Sequence, residues 1–229
     1  MILFPAAAAL VSTIFAIQLL TSWAHRKRLP MLAWGIAMTM YAIASLAVAA
    51  GVSGGWDPTL YRIYWLFGAL LNVPYLALGS VALLGRRPVT AVMLGLVAAS
   101  TLIAAVVVAS ASVHIASSAS NQIPRGSEAW GKGTLAAMLP TYMSIPAYVI
   151  VVLIAAASSR GGNLPPHRIR GNWLIAIGAT LVAAGAPFAR YGRGAAFSVF
   201  LAVGVIVMFL GFRLASTVPR PAAPAGEPT

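Results

Sequence analysis

Residues 61–84 read YRIYWLFGALLNVPYLALGSVALL, with Arg62 as their single charge. A hydrocarbon core about 30 Å thick is crossed by roughly 20 apolar residues in helical form. This stretch meets that length, and six more runs of the same kind lie near 2–24, 31–51, 89–111, 137–158, 171–189 and 195–216. The chain therefore reads as all-α: a polytopic membrane protein, with one domain of seven transmembrane helices over 1–216. The remaining 217–229, rich in Pro and Ala, cannot bury a core and is expected to be a disordered cytoplasmic tail.

Composition agrees. Sixty per cent of the residues are hydrophobic and 8% charged, against about 25% charged in soluble domains. Fifteen Lys and Arg against three Asp and Glu give a formal charge of +12. In a soluble protein that balance would suggest nucleic acid. Here the basic residues sit between apolar runs, so anionic lipid headgroups are the expected partner and nucleic acid is not. The absence of cysteine removes disulfides, thiolate metal sites and thiol redox chemistry.

Basic residues in short loops resist translocation and so set orientation. Arg26, Lys27, Arg28, Arg86, Arg87, Arg160, Arg168, Arg170, Arg213 and Arg220 fall on one side of the alternating runs. Arg62, Arg125, Lys132, Arg190 and Arg193 fall on the other. The heavier side is cytoplasmic, which places the N-terminus outside and the C-terminus inside, in the plasma membrane. The first run has its basic cluster after it and none before, so an uncleaved helix is expected in place of a signal peptide.

Inside lipid, polar side chains carry the information. Tyr61, Tyr64, Gly68, Asn72 and Tyr75 share one helical face, and Pro74 frees the carbonyl of Leu70, so a bend is expected near Asn72. Thr141, Ser144 and Tyr148 form a second stripe between Pro140 and Pro146, with Tyr142 beside it. The candidate pocket is accordingly Tyr61, Tyr64, Asn72, Tyr75, Thr141, Tyr142, Ser144 and Tyr148, in the outer half of the bundle. Packing of helix on helix by the same residues is the competing reading. Arg62 and Arg190, with Arg193 and Lys132, form a candidate anion mouth, the competing reading being contact with lipid phosphates. Trp34 and Trp173 lie near the inner surface, where aromatic belt anchors are expected. Gly204 and Gly211 at heptad spacing read as a close helix contact.

Much chemistry is missing. Asp57, Glu128 and Glu227 are the only carboxylates and all fall outside the apolar runs, so no intramembrane proton relay or carboxylate pair is available. Lys27 and Lys132 lie in loops, which excludes a retinal pigment of the usual kind. His25, His114 and His167 stand apart, and no hydrolase, metalloprotease or phosphate-loop motif occurs. No catalytic residue, cofactor or metal site is assigned, and enzyme activity is not expected.

The stretch 61–84, the pattern from Trp34 to Tyr41, and Gly171 with Asn172 resemble a group of uncharacterised seven-helix membrane proteins of actinobacteria. More distantly the layout is similar to the N-terminal seven-helix membrane region of some bacterial histidine kinases. The resemblance implies a seven-helix bundle and a sensing ancestry, and it carries over no catalytic residue. The tail is too short for an output domain, so a signal is expected to pass to a separate membrane or cytoplasmic protein. A sensor-like or small-ligand-binding module is the leading expectation. A small-solute or lipid transporter and a structural or accessory subunit remain open.

Overall fold

The computed structural model describes residues 3–115, 123–160, 165–190 and 194–216, and among these there is no strand. Helix α1 (Leu3–Arg26) ends on His25 and Arg26, which suit the negative end of the helix dipole. Lys27 then takes the left-handed conformation, φ 49°, and donates its N–H to the carbonyl of Trp23 at 2.7 Å. The chain reverses at once, and Pro30 sits in the first turn of α2 (Leu29–Gly54), where a missing N–H costs nothing.

Asp57 caps α3 (Pro58–Ala82), its carboxylate accepting from the N–H groups of Thr59 at 2.8 Å and Leu60 at 3.0 Å. With Pro58 at the first helical position, the start of this span is written into the local sequence. Replacing Asp57 with Ala is expected to cost about 1 kcal/mol, most of it restored by Asn, as thermal unfolding in detergent would register.

Helix α3 is not uniform. It is α-helical to Tyr64, π-helical over Trp65–Leu71 and α-helical again from Asn72. Pro74 supplies the cause, because its ring clashes with the carbonyl four residues back and offers it no donor, so the turn widens. The expected bend near Asn72 thus takes the form of a π-helical segment.

Helix α4 (Arg87–Ser110) follows a tight turn at Gly85, φ 68°. After a single helical turn at Gly126–Ala129 come α5 (Leu135–Arg160), which contains Pro140 and Pro146, α6 (Pro166–Arg190) and α7 (Gly194–Ser216).

The helices close into a ring in the order α1, α2, α3, α5, α6, α7 and back to α1, with α4 packed outside against α3 and α5. The most extensive contact is α6 on α7. A Cβ on Gly178 would lie 2.5 Å from the carbonyl oxygen of Gly204, and one on Gly171 2.6 Å from that of Gly211. The expected heptad contact of Gly204 and Gly211 therefore meets a matching pair on α6 in antiparallel register. Phe15 of α1 closes the ring on Phe209 and Phe212 of α7, with centroids 4.9 and 5.4 Å apart.

Helices α1 to α5 are each long and apolar enough to cross a membrane, which is the pattern of a multi-pass membrane protein. Helix α7 contributes a shorter apolar stretch, Val199–Ala215, while α6 opens on His167, Arg168 and Arg170 and so begins polar. Leu10, Ile17, Val92, Leu102, Val106 and Leu153 point outward, as residues facing lipid do.

Candidate functional site

The half of the bundle around Tyr61 and Trp65 is packed, and several of its polar side chains are held by neighbouring elements. Tyr61 is fully buried and donates to the carbonyl of Pro124 at 3.2 Å. It stands inside an aromatic cluster with Trp56, Tyr64, Trp65 and Trp130, stacked on Trp65 at 5.8 Å. Trp65 in turn donates to the carbonyl of Ala136 at 3.0 Å, across to the first turn of α5. Trp56 and Trp130, each beside a connecting segment, are buried in this cluster.

Ser144 donates to the carbonyl of Ala69 at 2.6 Å and lies 3.3 Å from that of Leu70. Pro74 leaves the carbonyl of Leu70 without its helical donor, and Ala69 stands next to it in the same π-helical segment. The stripe on α5 thus serves the break in α3. Ser144→Ala is expected to cost about 0.6 kcal/mol, the mean for such bonds between membrane helices, in a reversible detergent unfolding titration.

Asn72 is buried beside the break, and its Oδ1 has no hydrogen-bond partner among the described residues. Tyr75 meets Thr101 of α4 at 3.3 Å, and Tyr148 meets Thr180 of α6 at 2.9 Å. Thr141 and Tyr142 are exposed on the outside of α5. The eight residues of the candidate pocket therefore point to different neighbours and do not gather around one space.

The candidate anion mouth also resolves differently. Arg62 donates from Nε to the carbonyl of Val108 at 3.1 Å and from Nη2 to that of Ala111 at 2.9 Å. These are the unpaired carbonyls at the end of α4, so Arg62 caps a helix, charge against dipole. Arg193 and the side chain of Arg190 lie outside the described residues.

The space is at the opposite end. A cavity of about 600 Å³ opens where α1 passes into α2, α3 into α4, α6 begins and α7 ends. That volume is within the roughly 300–1,000 Å³ of small-molecule sites. Its rim carries Arg26, Arg28, Arg87 and Arg168, and none of these side chains has a hydrogen bond or ion pair among the described residues. Its floor is apolar, with Met31, Trp34, Ile154 and Phe212 beside Asn172 of α6, and Leu94 of α4 stands on its wall.

No acidic residue lines it. Of the described carboxylates, Asp57 caps α3 and Glu128 pairs with Arg125 at 3.2 Å, both at the other end of the bundle. The field in the cavity is therefore positive and uncompensated by the protein's own described carboxylates.

Trp34 fixes this floor. It is buried where a belt anchor was expected, because its indole donates from Nε1 to the carbonyl of Leu76 at 3.1 Å and meets Phe212 edge-on at 5.5 Å. Gly79 makes room for it, since a Cβ there would stand 2.3 Å from the ring. Trp173, on the outside of α6, is 39% exposed.

The basic loop residues were visible in the sequence as orientation signals. Their convergence was not, because 26–28, 87 and 168 meet only once the ring is closed. Among the described residues no group of three His, Asp or Glu could hold a metal ion. In comparisons with known proteins, no family model, no curated protein and no solved structure matches the chain.

Proposed function

We propose that this chain is a seven-span protein of the plasma membrane, N-terminus outside and C-terminus inside, that binds an acidic ligand at its cytoplasmic end. The observation that carries the reading is the cavity with four unpartnered arginines on its rim, no acid in its lining and an apolar floor. The loops support this orientation, since the cavity lies at the end of the bundle that carries Arg26, Lys27, Arg28, Arg86, Arg87, Arg168 and Arg170.

The protein acts as a non-enzymatic, sensor-like binding module and passes occupancy to a partner chain. In support, the two described carboxylates serve a helix cap and a surface ion pair, which leaves no acid–base pair at the cavity. The packed aromatic cluster at the far end favours a site open from one side over a through passage. A carrier reading draws on the π-helical break of α3 and the prolines of α5. Solute flux into proteoliposomes would favour it.

The chain contains no cysteine, so Thr90→Cys, on the cavity wall, gives a single site for an environment-sensitive fluorophore. A saturable response to pyrophosphate or to phosphatidic acid is expected, and it should vanish when Arg26, Arg28, Arg87 and Arg168 are all replaced by Gln. No response to either probe would contradict the proposal.

A further inference from the structure

The rim and the wall of the cavity differ in a way that specifies its ligand further. Arg87, Thr90, Ala91 and Leu94 of α4 all line it, and they fall at offsets of 0, 3, 4 and 7, one face of a helix. Along that face the lining passes from a guanidinium to a leucine over about 10 Å of axial rise. Leu83 and Leu84, at the end of α3, line it as well and remain 44% and 43% exposed, while Leu94 is 47% exposed.

Helix α4 is also the helix that lies outside the ring, with α3 and α5 as its neighbours. Its first two turns therefore face α2, α6 and α7 across the cavity, and its outer side carries Val92 and Leu96, exposed to lipid. A soluble anion would need the arginines alone and would leave three leucines wetted. An amphiphile satisfies both halves at once.

We infer, resting on the reading of this cavity as a ligand site, that it holds a membrane lipid whose phosphate head carries two or more negative charges, with an acyl chain against Leu83, Leu84 and Leu94. Charge sets the class of head. Four arginines without a protein carboxylate leave a single phosphodiester undercompensating the rim, whereas a phosphomonoester, or two phosphodiesters on one lipid, supplies the charge. Guanidinium forks suit phosphate oxygens in pairs, and the site lies at the end of the bundle where the inner leaflet's headgroups would be.

Native mass spectrometry of the full-length protein, exchanged into phosphatidic acid, cardiolipin, phosphatidylglycerol or phosphatidylcholine, tests this directly. Inorganic pyrophosphate is a soluble competitor, and three proteins are compared: wild type, Arg87→Gln with Arg168→Gln, and Leu94→Trp. The wild type is expected to retain phosphatidic acid or cardiolipin in preference to the other two lipids. The double arginine variant should lose about thirtyfold in affinity. Leu94→Trp, which fills the apolar wall, should weaken the lipid while leaving pyrophosphate binding unchanged.

The arginines are exposed, so the double variant should unfold at the wild-type temperature, which separates loss of binding from loss of fold. Equal retention of phosphatidylglycerol and phosphatidic acid would overturn the inference. So would pyrophosphate binding with no lipid retained, a result that spares the acidic-ligand reading. Retention of no lipid and no pyrophosphate would remove both.

Discussion

Trp34→Ala is expected to destabilise the protein by about 3–5 kcal/mol, the range for deleting a large buried aromatic side chain. The indole is buried, donates to the carbonyl of Leu76 and stands edge-on against Phe212. Removing it leaves a void joined to the cavity, takes from the carbonyl of Leu76 the donor that ties α2 to α3 (the Ser80 hydroxyl, on α3 itself, remains) and loosens α2 from both α3 and α7. Trp34→Phe keeps most of the packing and loses the donor, so a loss of about 1 kcal/mol is expected for it. Thermal unfolding in one detergent distinguishes the two. A loss for Ala no larger than for Phe would mean that Trp34 is an interfacial anchor after all.

Gly178→Ala is the second large effect. Its new methyl carbon would meet the carbonyl oxygen of Gly204 at 2.5 Å and the backbone nitrogen of Met208 at 2.8 Å. Backbone cannot swing aside as a side chain can, so α6 and α7 must separate along their length. Overpacking of this kind costs about 1–3 kcal/mol, and Gly178→Val should cost more. Gly95, in α4, provides the internal control: nothing stands within 4 Å of its Cβ position. Gly95→Ala is expected to be neutral or to stabilise by about 0.5–1 kcal/mol through helix propensity. Equal behaviour of the two substitutions would show that α6 and α7 do not approach at these glycines.

These two contacts differ in how far the sequence announced them. Gly204 and Gly211 stand seven apart in an apolar run, and that spacing alone suggested a close helix contact. Their partners Gly171 and Gly178 repeat the spacing on the preceding helix, but that these glycines meet them was settled only by the packing of α6 on α7. Trp34 was harder. Tryptophan near the end of a span fits a belt anchor and a core residue equally, and only Gly79, far along the chain, makes the buried position available.

The helices were legible because lipid demands long apolar runs, and the break in α3 was legible because Pro74 has no N–H. That the break would be π-helical, with Ser144 reaching its carbonyls, depended on which helix packs beside it. The polar stripes of α3 and α5 showed where polar groups lie without showing whether they face a space or one another. Arg62 likewise looked free for anions until the end of α4 came within reach of its guanidinium. The cavity was least legible of all, since its lining comes from all seven helices and each arginine already had a sufficient explanation as an orientation signal.

The central claim is that the arginine-rimmed cavity faces the cytoplasm at one end of a bundle threaded through lipid. Because the chain has no cysteine, Ser53→Cys and His25→Cys can each be probed with an impermeant maleimide on intact spheroplasts. Both positions are exposed, Ser53 beside the aromatic cluster and His25 beside the cavity rim. Cysteine at 53 is expected to label at once, and cysteine at 25 only after the membrane is permeabilised. Immediate labelling at 25, or protection at 53, would contradict the account.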